Sequence, residues 1–244
     1  MNTDTPILLM SGMGADARVF AKQIEAFPQI VVPAWIDPFP KESLAKYAKR
    51  LAEAIDPGRP CYIGGASFGG FIALEMIQHL DVKACFLIGS VRSPKEFPSA
   101  FKTLKKMACV ADALPFEVAT LLSKAALRSS GGSSKSHWSA LVKQMSESDA
   151  SFLRWACRAV LEWPGAENMG DTPVVQIHGG KDLVLPVKNT QPDCVVSGAG
   201  HALSMSHPDA VTAFLKRYIM SEALQTLHGT YQIIRQSRMQ EDSR

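Results

Sequence analysis

Short apolar runs recur along this chain, and most are followed by a stretch with helical spacing. The strand candidates are Ile7–Met10, Ile30–Trp35, Cys61–Ala66, Ala84–Gly89, Pro173–His178 and Cys194–Ser197. Helical periodicity follows over 15–27, 42–56, 68–80 and 208–227. Such alternation dictates a mostly parallel sheet, because each return to the same sheet edge needs a crossover, and the crossover helices then cover both faces. The run ACFLIG (84–89) is apolar throughout, as a strand buried on two faces must be. Pro33 directs the second run to a sheet edge or to an early end. The sequence therefore predicts an α/β fold, a three-layer α/β/α sandwich with about six strands.

After Ser90 the alternation stops. Residues 91–163 hold helical stretches near 99–108, 115–127, 136–146 and 149–163 and no convincing strand. No linker brackets them, so they read as a helical cap inserted after the fourth strand. The core is then 1–90 together with 164–244.

Composition narrows the function classes. A content of 46% apolar and 20% charged residues supplies a core and argues against wholesale disorder. A net charge of +3, evenly spread, gives no footprint for nucleic acid. No apolar run is long enough for a membrane span. The five cysteines contain no CxxC, so neither a disulfide framework nor a zinc ribbon is expected. Residues 1–10 carry no basic segment or cleavage site, which makes a cytoplasmic location the expectation.

In open α/β sheets, ligands sit beyond the carboxyl ends of the strands. Three segments there carry chemistry. Gly65-Ala66-Ser67-Phe68-Gly69 is a G-x-S-x-G between a strand and a helix, the setting of a nucleophile elbow, where a sharp turn projects the serine hydroxyl. Read alone, it could be a glycine-rich turn with an incidental serine. His178-Gly179-Gly180-Lys181-Asp182 follows the fifth strand; its aspartate can orient a histidine, or can be a solvated partner of Lys181. Gly198-Ala199-Gly200-His201 follows the last strand, where a histidine can reach a serine or can lie idle on the surface. The joint order serine, acid, histidine, each just past a strand, favours a triad of Ser67, Asp182 and His201. Backbone N–H groups of Phe68 and Met13 are the expected oxyanion donors, Met13 lying in the loop Ser11-Gly12-Met13-Gly14 after the first strand. His178 is expected to brace its loop and His207 to flank the last helix, while His79, His137 and His228 have helical or tail settings.

With SGMG (11–14), GASFGG (65–70), HGGKDLVLP (178–186) and GAGHALSMSHP (198–208), the chain resembles the α/β-hydrolase fold superfamily over about residues 6–222. The segment 149–163 is similar to that of small bacterial members of unassigned substrate. The resemblance implies the same triad on Ser67, Asp182 and His201, with Met13 in the oxyanion loop. Ser11 stands where the family usually has histidine, and the family's two leading antiparallel strands are missing.

The expected activity is a cofactor-independent serine hydrolase cleaving a small ester through an acyl-enzyme, without metal. Thioesterase, lyase and acyltransferase chemistry use the same triad, and a non-catalytic binding protein on this fold is a further alternative. The match of Gly12–Ala17 to G-x-G-x-x-A, with Asp37 beyond it, is a weak dinucleotide signature that leaves the three loop motifs unexplained. Trp138 and Trp155 are the substrate-binding candidates of the cap, which also offers Phe97, Phe101 and Phe152 and so suits an apolar or aromatic group. The basic cluster Lys102, Lys105 and Lys106 reads as a solvated helix face. The expected partner is a small-molecule ester, the protein being a monomer or homodimer that engages neither nucleic acid nor membrane.

Overall fold

The computed structural model describes residues 4–99, 101, 139, 143, 144 and 146–220. Its sheet has six strands, all parallel: β1 (Ile7–Met10), β2 (Ile30–Val31), β3 (Cys61–Ala66), β4 (Val82–Ile88), β5 (Val174–Gly179) and β6 (Cys194–Val196), in the order β2-β1-β3-β4-β5-β6. β2 is shorter than the apolar run predicts. It is an edge strand, and Pro33 has no N–H to continue the ladder.

The helices are α1 (Ala21–Ala26), α2 (Leu44–Ile55), α3 (Phe68–Met76), α4 (Ala150–Glu162), α5 (Leu203–Ser206) and α6 (208–220). α2 begins where the Ser43 side chain accepts the Lys46 N–H, and it buries Leu44, Tyr47, Ala48 and Leu51 along one stripe. Asp149 caps α4 in the same way through the Phe152 N–H. The helix expected from residue 15 starts late, as a 3-10 turn over Ala17–Phe20 capped by Asp16, because Gly14 at φ 68° turns the chain first. α3 is buried on every side, so this helix carries no polar stripe.

Strand alternation sends side chains to two separate cores. Leu8, Met10, Ile63, Cys85 and Leu87 pack under α2, α3 and α4. Ile7, Leu9, Tyr62, Phe86, Ile88 and Ile177 face the other way, against α1 and α6. These are the three layers anticipated from the pattern. Since all six strands point the same way, the segments after β1, β3, β4, β5 and β6 emerge at one rim. Of the insertion, the helix expected over 149–163 is present as α4. The stretches near 99–108, 115–127 and 136–146 lie largely outside the described residues, as do Trp138 and the lysines at 102, 105 and 106.

Candidate active site

Ser67 follows β3 with φ 51° and ψ −117°, a conformation that L residues avoid. The turn is held from three sides. The Ser67 N–H donates to Ile88 O (3.0 Å), and the Ser67 carbonyl accepts from Gly70 N (3.0 Å) and from Ser90 Oγ (2.8 Å). The flanking glycines are steric necessities. A Cβ on Gly65 would lie 2.3 Å from the Gly69 carbonyl carbon, and one on Gly69 would lie 2.2 Å from Met10 O.

The loops after β5 and β6 meet because glycine lets their backbones touch. A Cβ on Gly179 would fall 2.3 Å from Gly200 O, and Lys181 N donates to Ala199 O at 2.8 Å. The loops deliver Asp182 and His201 to the serine. Ser67 Oγ lies 2.8 Å from His201 Nε2, and His201 Nδ1 lies 2.8 Å from Asp182 Oδ2. The three residues named from chain order are thus hydrogen-bonded in series. Asp182 is buried, which removes the alternative of a solvated partner for Lys181. Its second oxygen accepts the N–H groups of Val184 (2.8 Å) and Leu185 (2.9 Å). Burial alone would raise the carboxyl pKa. The facing His201, with the hydrogen bonds from His178, His201 and the Leu185 amide, outweighs it and holds Asp182 well below the usual carboxylate range. An ionised, fully bonded carboxylate fixes His201 with its proton on Nδ1 and leaves Nε2 free to accept from the serine.

The loop after β1 lies against this turn. Met10 O and Ser11 O are the atoms that Gly69 must clear, and a Cβ on Gly12 would be 3.8 Å from Ala66 O. Ser11 is buried, and its hydroxyl donates to Ala15 O at 2.8 Å. Together with the Ala15 N–H bond to Gly12 O, this closes the turn around Met13. Ser11, which stands where the resembled family usually has histidine, therefore ties the loop to itself. The Cys157 thiol of α4 lies 3.6 Å from Met13 Sδ, and Gln144 Oε1 accepts the Asp16 N–H at 3.1 Å, so residues between β4 and β5 touch this loop directly. Phe68, next to the serine, opens α3, whose N-terminal amides favour negative charge.

The sequence model of the alpha/beta hydrolase family matches residues 7–214. The chain belongs to this family. No curated protein sequence matches it. Solved structures of similar fold include a thermophilic esterase from Thermogutta terrifontis (17% identity, TM-score 0.69, 89% of this chain and 90% of that one). Others are MenH from S. aureus (14%, 0.67, 91% and 96%) and an esterase from Exiguobacterium antarcticum (15%, 0.64, 88% and 92%). At these identities the likeness establishes the fold of this alpha/beta hydrolase and not its substrate.

Trp155 is brought beside the serine's neighbour: its ring centroid lies 6.1 Å from that of Phe68 and 4.3 Å from that of Tyr47. Its indole N–H is committed to Glu42 O at 2.8 Å, so within the hydrolase it already performs a packing task. His178 braces its loop, as expected, through Leu185 O at 2.6 Å. His207 precedes α6, with Nδ1 2.9 Å from Ser206 Oγ. Sequence reasoning passed over Ser90 and Gln176, both buried beside the site. The available signal was Gln176 itself, a lone amide in β5, where the other side chains apart from His178 are apolar. Among the described residues, no three His, Cys, Asp or Glu side chains stand together as metal ligands, and no helix is long and apolar enough to cross a membrane.

Proposed function

We propose that this alpha/beta hydrolase is a serine hydrolase that cleaves a small ester through an acyl-enzyme. The observation that carries the reading is the pair of 2.8 Å hydrogen bonds joining Ser67, His201 and Asp182. Ser67 Oγ attacks the acyl carbon while its proton passes to His201 Nε2. Asp182 stabilises the resulting imidazolium. The proton then goes to the leaving alkoxide, which departs as the alcohol. Water, deprotonated by the same nitrogen, next attacks the acyl-serine and releases the acid. The N–H of Phe68, at the start of α3, and that of Met13 hold the oxyanion, each donor lowering the barrier by about 3–4 kcal/mol in such sites. The esterase neighbours support ester chemistry. Met13, Trp35, Phe68 and Phe152 belong to one apolar cluster at the serine, which supports a substrate with an apolar acyl or alcohol group.

The test is a fluorophosphonate probe together with p-nitrophenyl esters of increasing chain length. Wild type is labelled and turns over; Ser67→Ala does neither.

A further inference from the structure

β4 lies between β3 and β5 in the sheet. Whatever follows β4 is therefore wedged between the strand that ends at Ser67 and the strand that leads to Asp182. That place is taken by Ser90, which is fully buried. Its hydroxyl donates to the Ser67 carbonyl at 2.8 Å, and its own carbonyl accepts from Gln176 Nε2 at 2.7 Å. The same amide nitrogen lies 3.4 Å from His178 Nδ1. His178 Nε2 donates to Leu185 O at 2.6 Å and stands 3.4 Å from Asp182 Oδ2. Gln176 and His178 are as inaccessible as Ser90. The series Ser67–His201–Asp182 thus has a second path behind it, Ser67–Ser90–Gln176–His178–Leu185–Asp182, the Leu185 carbonyl accepting from His178 and its N–H donating to Asp182, and the two close a ring.

Each member of the rear path has one available role. Gln176 Oε1 accepts from the Arg92 guanidinium, so the amide cannot turn over without setting its NH2 against a cation. Its two N–H groups are then directed at Ser90 O and His178 Nδ1. With Nδ1 accepting, His178 donates through Nε2 to Leu185 O, in the turn whose N–H groups hold Asp182 Oδ1. An apolar side chain at 176 would fill β5 as Ile177 does, without the desolvation an amide incurs. What the amide adds is direction.

We propose that Ser90, Gln176 and His178 are positioning residues, a brace behind the triad that fixes the separation of Ser67 from Asp182 so that His201 can bond both at once. The proposal rests on the serine-hydrolase reading for its kinetic readout. Ser67 gives the brace something to resist. Its backbone is in a conformation that relaxes unless held, and Ser90 supplies the one side-chain bond to its carbonyl among the described contacts.

The test uses the full chain at 25 °C with Ser90→Ala, Gln176→Met and the double variant, each checked for folding. Three quantities are read: kcat and KM on a p-nitrophenyl ester, the fluorophosphonate labelling rate at Ser67, and the downfield NMR signal of the His201 Nδ1 proton. Each single variant is expected to lose about 10- to 100-fold in kcat and labelling with KM unchanged, the scale of an ångström-level misplacement. The double should fall no further than the worse single, since both break one path. The His201 proton signal should broaden or disappear. Folded variants that keep wild-type kcat, labelling and proton signal while melting earlier overturn the proposal, as do fully additive losses. Should Gln176→Met not fold, Ser90→Ala decides, because it removes a single hydroxyl. Should wild type neither turn over nor label, the hydrolase reading fails; the proton signal alone then judges the brace, its loss in Ser90→Ala supporting it and its retention overturning it.

Discussion

Gly69→Ala tests how tightly the serine turn is locked to the sheet. The new methyl carbon would stand 2.2 Å from Met10 O, 2.3 Å from Ser11 O and 2.6 Å from the Met10 carbonyl carbon. All three are backbone atoms, so no side-chain rotation relieves the overlap. Restoring ordinary contact, which begins near 3.4 Å, requires β1 and α3 to separate by about 1 Å. Overpacking of this kind costs roughly 1–3 kcal/mol. For a domain of this size each kcal/mol lowers Tm by about 2–4 °C, so a drop of about 2–12 °C is expected. The same shift moves Ser67 relative to the Met13 loop, and a displacement of about 1 Å can slow chemistry about 100-fold. Thermal melts followed by circular dichroism and fluorophosphonate labelling rates at 25 °C measure both. Gly12→Ala is the control for stability. Its Cβ would meet nothing nearer than Ala66 O at 3.8 Å, so its Tm should stay within a degree or two of wild type, the usual range for a harmless substitution of about 0.5 kcal/mol. A Gly69→Ala protein that melts and labels like wild type would refute the reasoning.

Three other substitutions probe separate parts of the molecule. Asp182→Asn places an NH2 where His201 Nδ1 now donates, forcing the other tautomer, and labelling of Ser67 should fall about 10⁴-fold, measured by probe kinetics. Because the Asp182 carboxyl is held below its ordinary range, its contribution to stability is complete above the unfolded carboxylate pKa and is lost as pH falls toward the folded one. Acid melts of the asparagine variant should therefore show a shallower decline than wild type. Glu75, buried on α3, accepts the Trp163 indole N–H at 2.6 Å, and burial, reinforced by Glu167, pushes its carboxyl pKa up despite that bond. The sign is opposite here: this contribution is complete below the unfolded pKa and is lost as pH rises through the folded one. Glu75→Gln keeps an acceptor for Trp163 and cannot ionise, so urea midpoints at neutral and alkaline pH should exceed wild type and the difference should vanish in acid. Ser11→Ala deletes the bond to Ala15 O and should cost about 1 kcal/mol in denaturant melts, with slower probe labelling as the Met13 turn loosens.

The layers and the meeting of three distant loops could be read from sequence because each rests on a local pattern. Strand alternation splits Ile7 and Leu9 from Leu8 and Met10, and glycines two positions either side of a serine after a strand leave the room that a sharp turn there needs. Boundaries were less legible. β2 stops at Val31 although the apolar run goes on to Trp35, because an edge strand needs a neighbour's hydrogen bonds and not only apolar side chains. The roles of Ser90 and Gln176 could not be read at all. They depend on β4 and β5 being adjacent, a fact of sheet order that no short window contains. Trp155 shows the opposite limit: an aromatic residue on a cap helix suggests a ligand wall, but its indole N–H had already found the Glu42 carbonyl, 113 positions away.

The strand order also sets a timetable. β1 to β4, with the serine turn between β3 and α3, can pair with one another before β5 and β6 have been made. Asp182 and His201 arrive only with β5 and β6, beyond residue 174. A ribosome-bound chain stopped before that point would display a hydroxyl with nothing to take its proton. On the proposed mechanism, reactivity is thereby withheld until β5 and β6 have joined the sheet, and the half-sheet, with β4 still lacking its outer neighbour, is the species most exposed to mispairing.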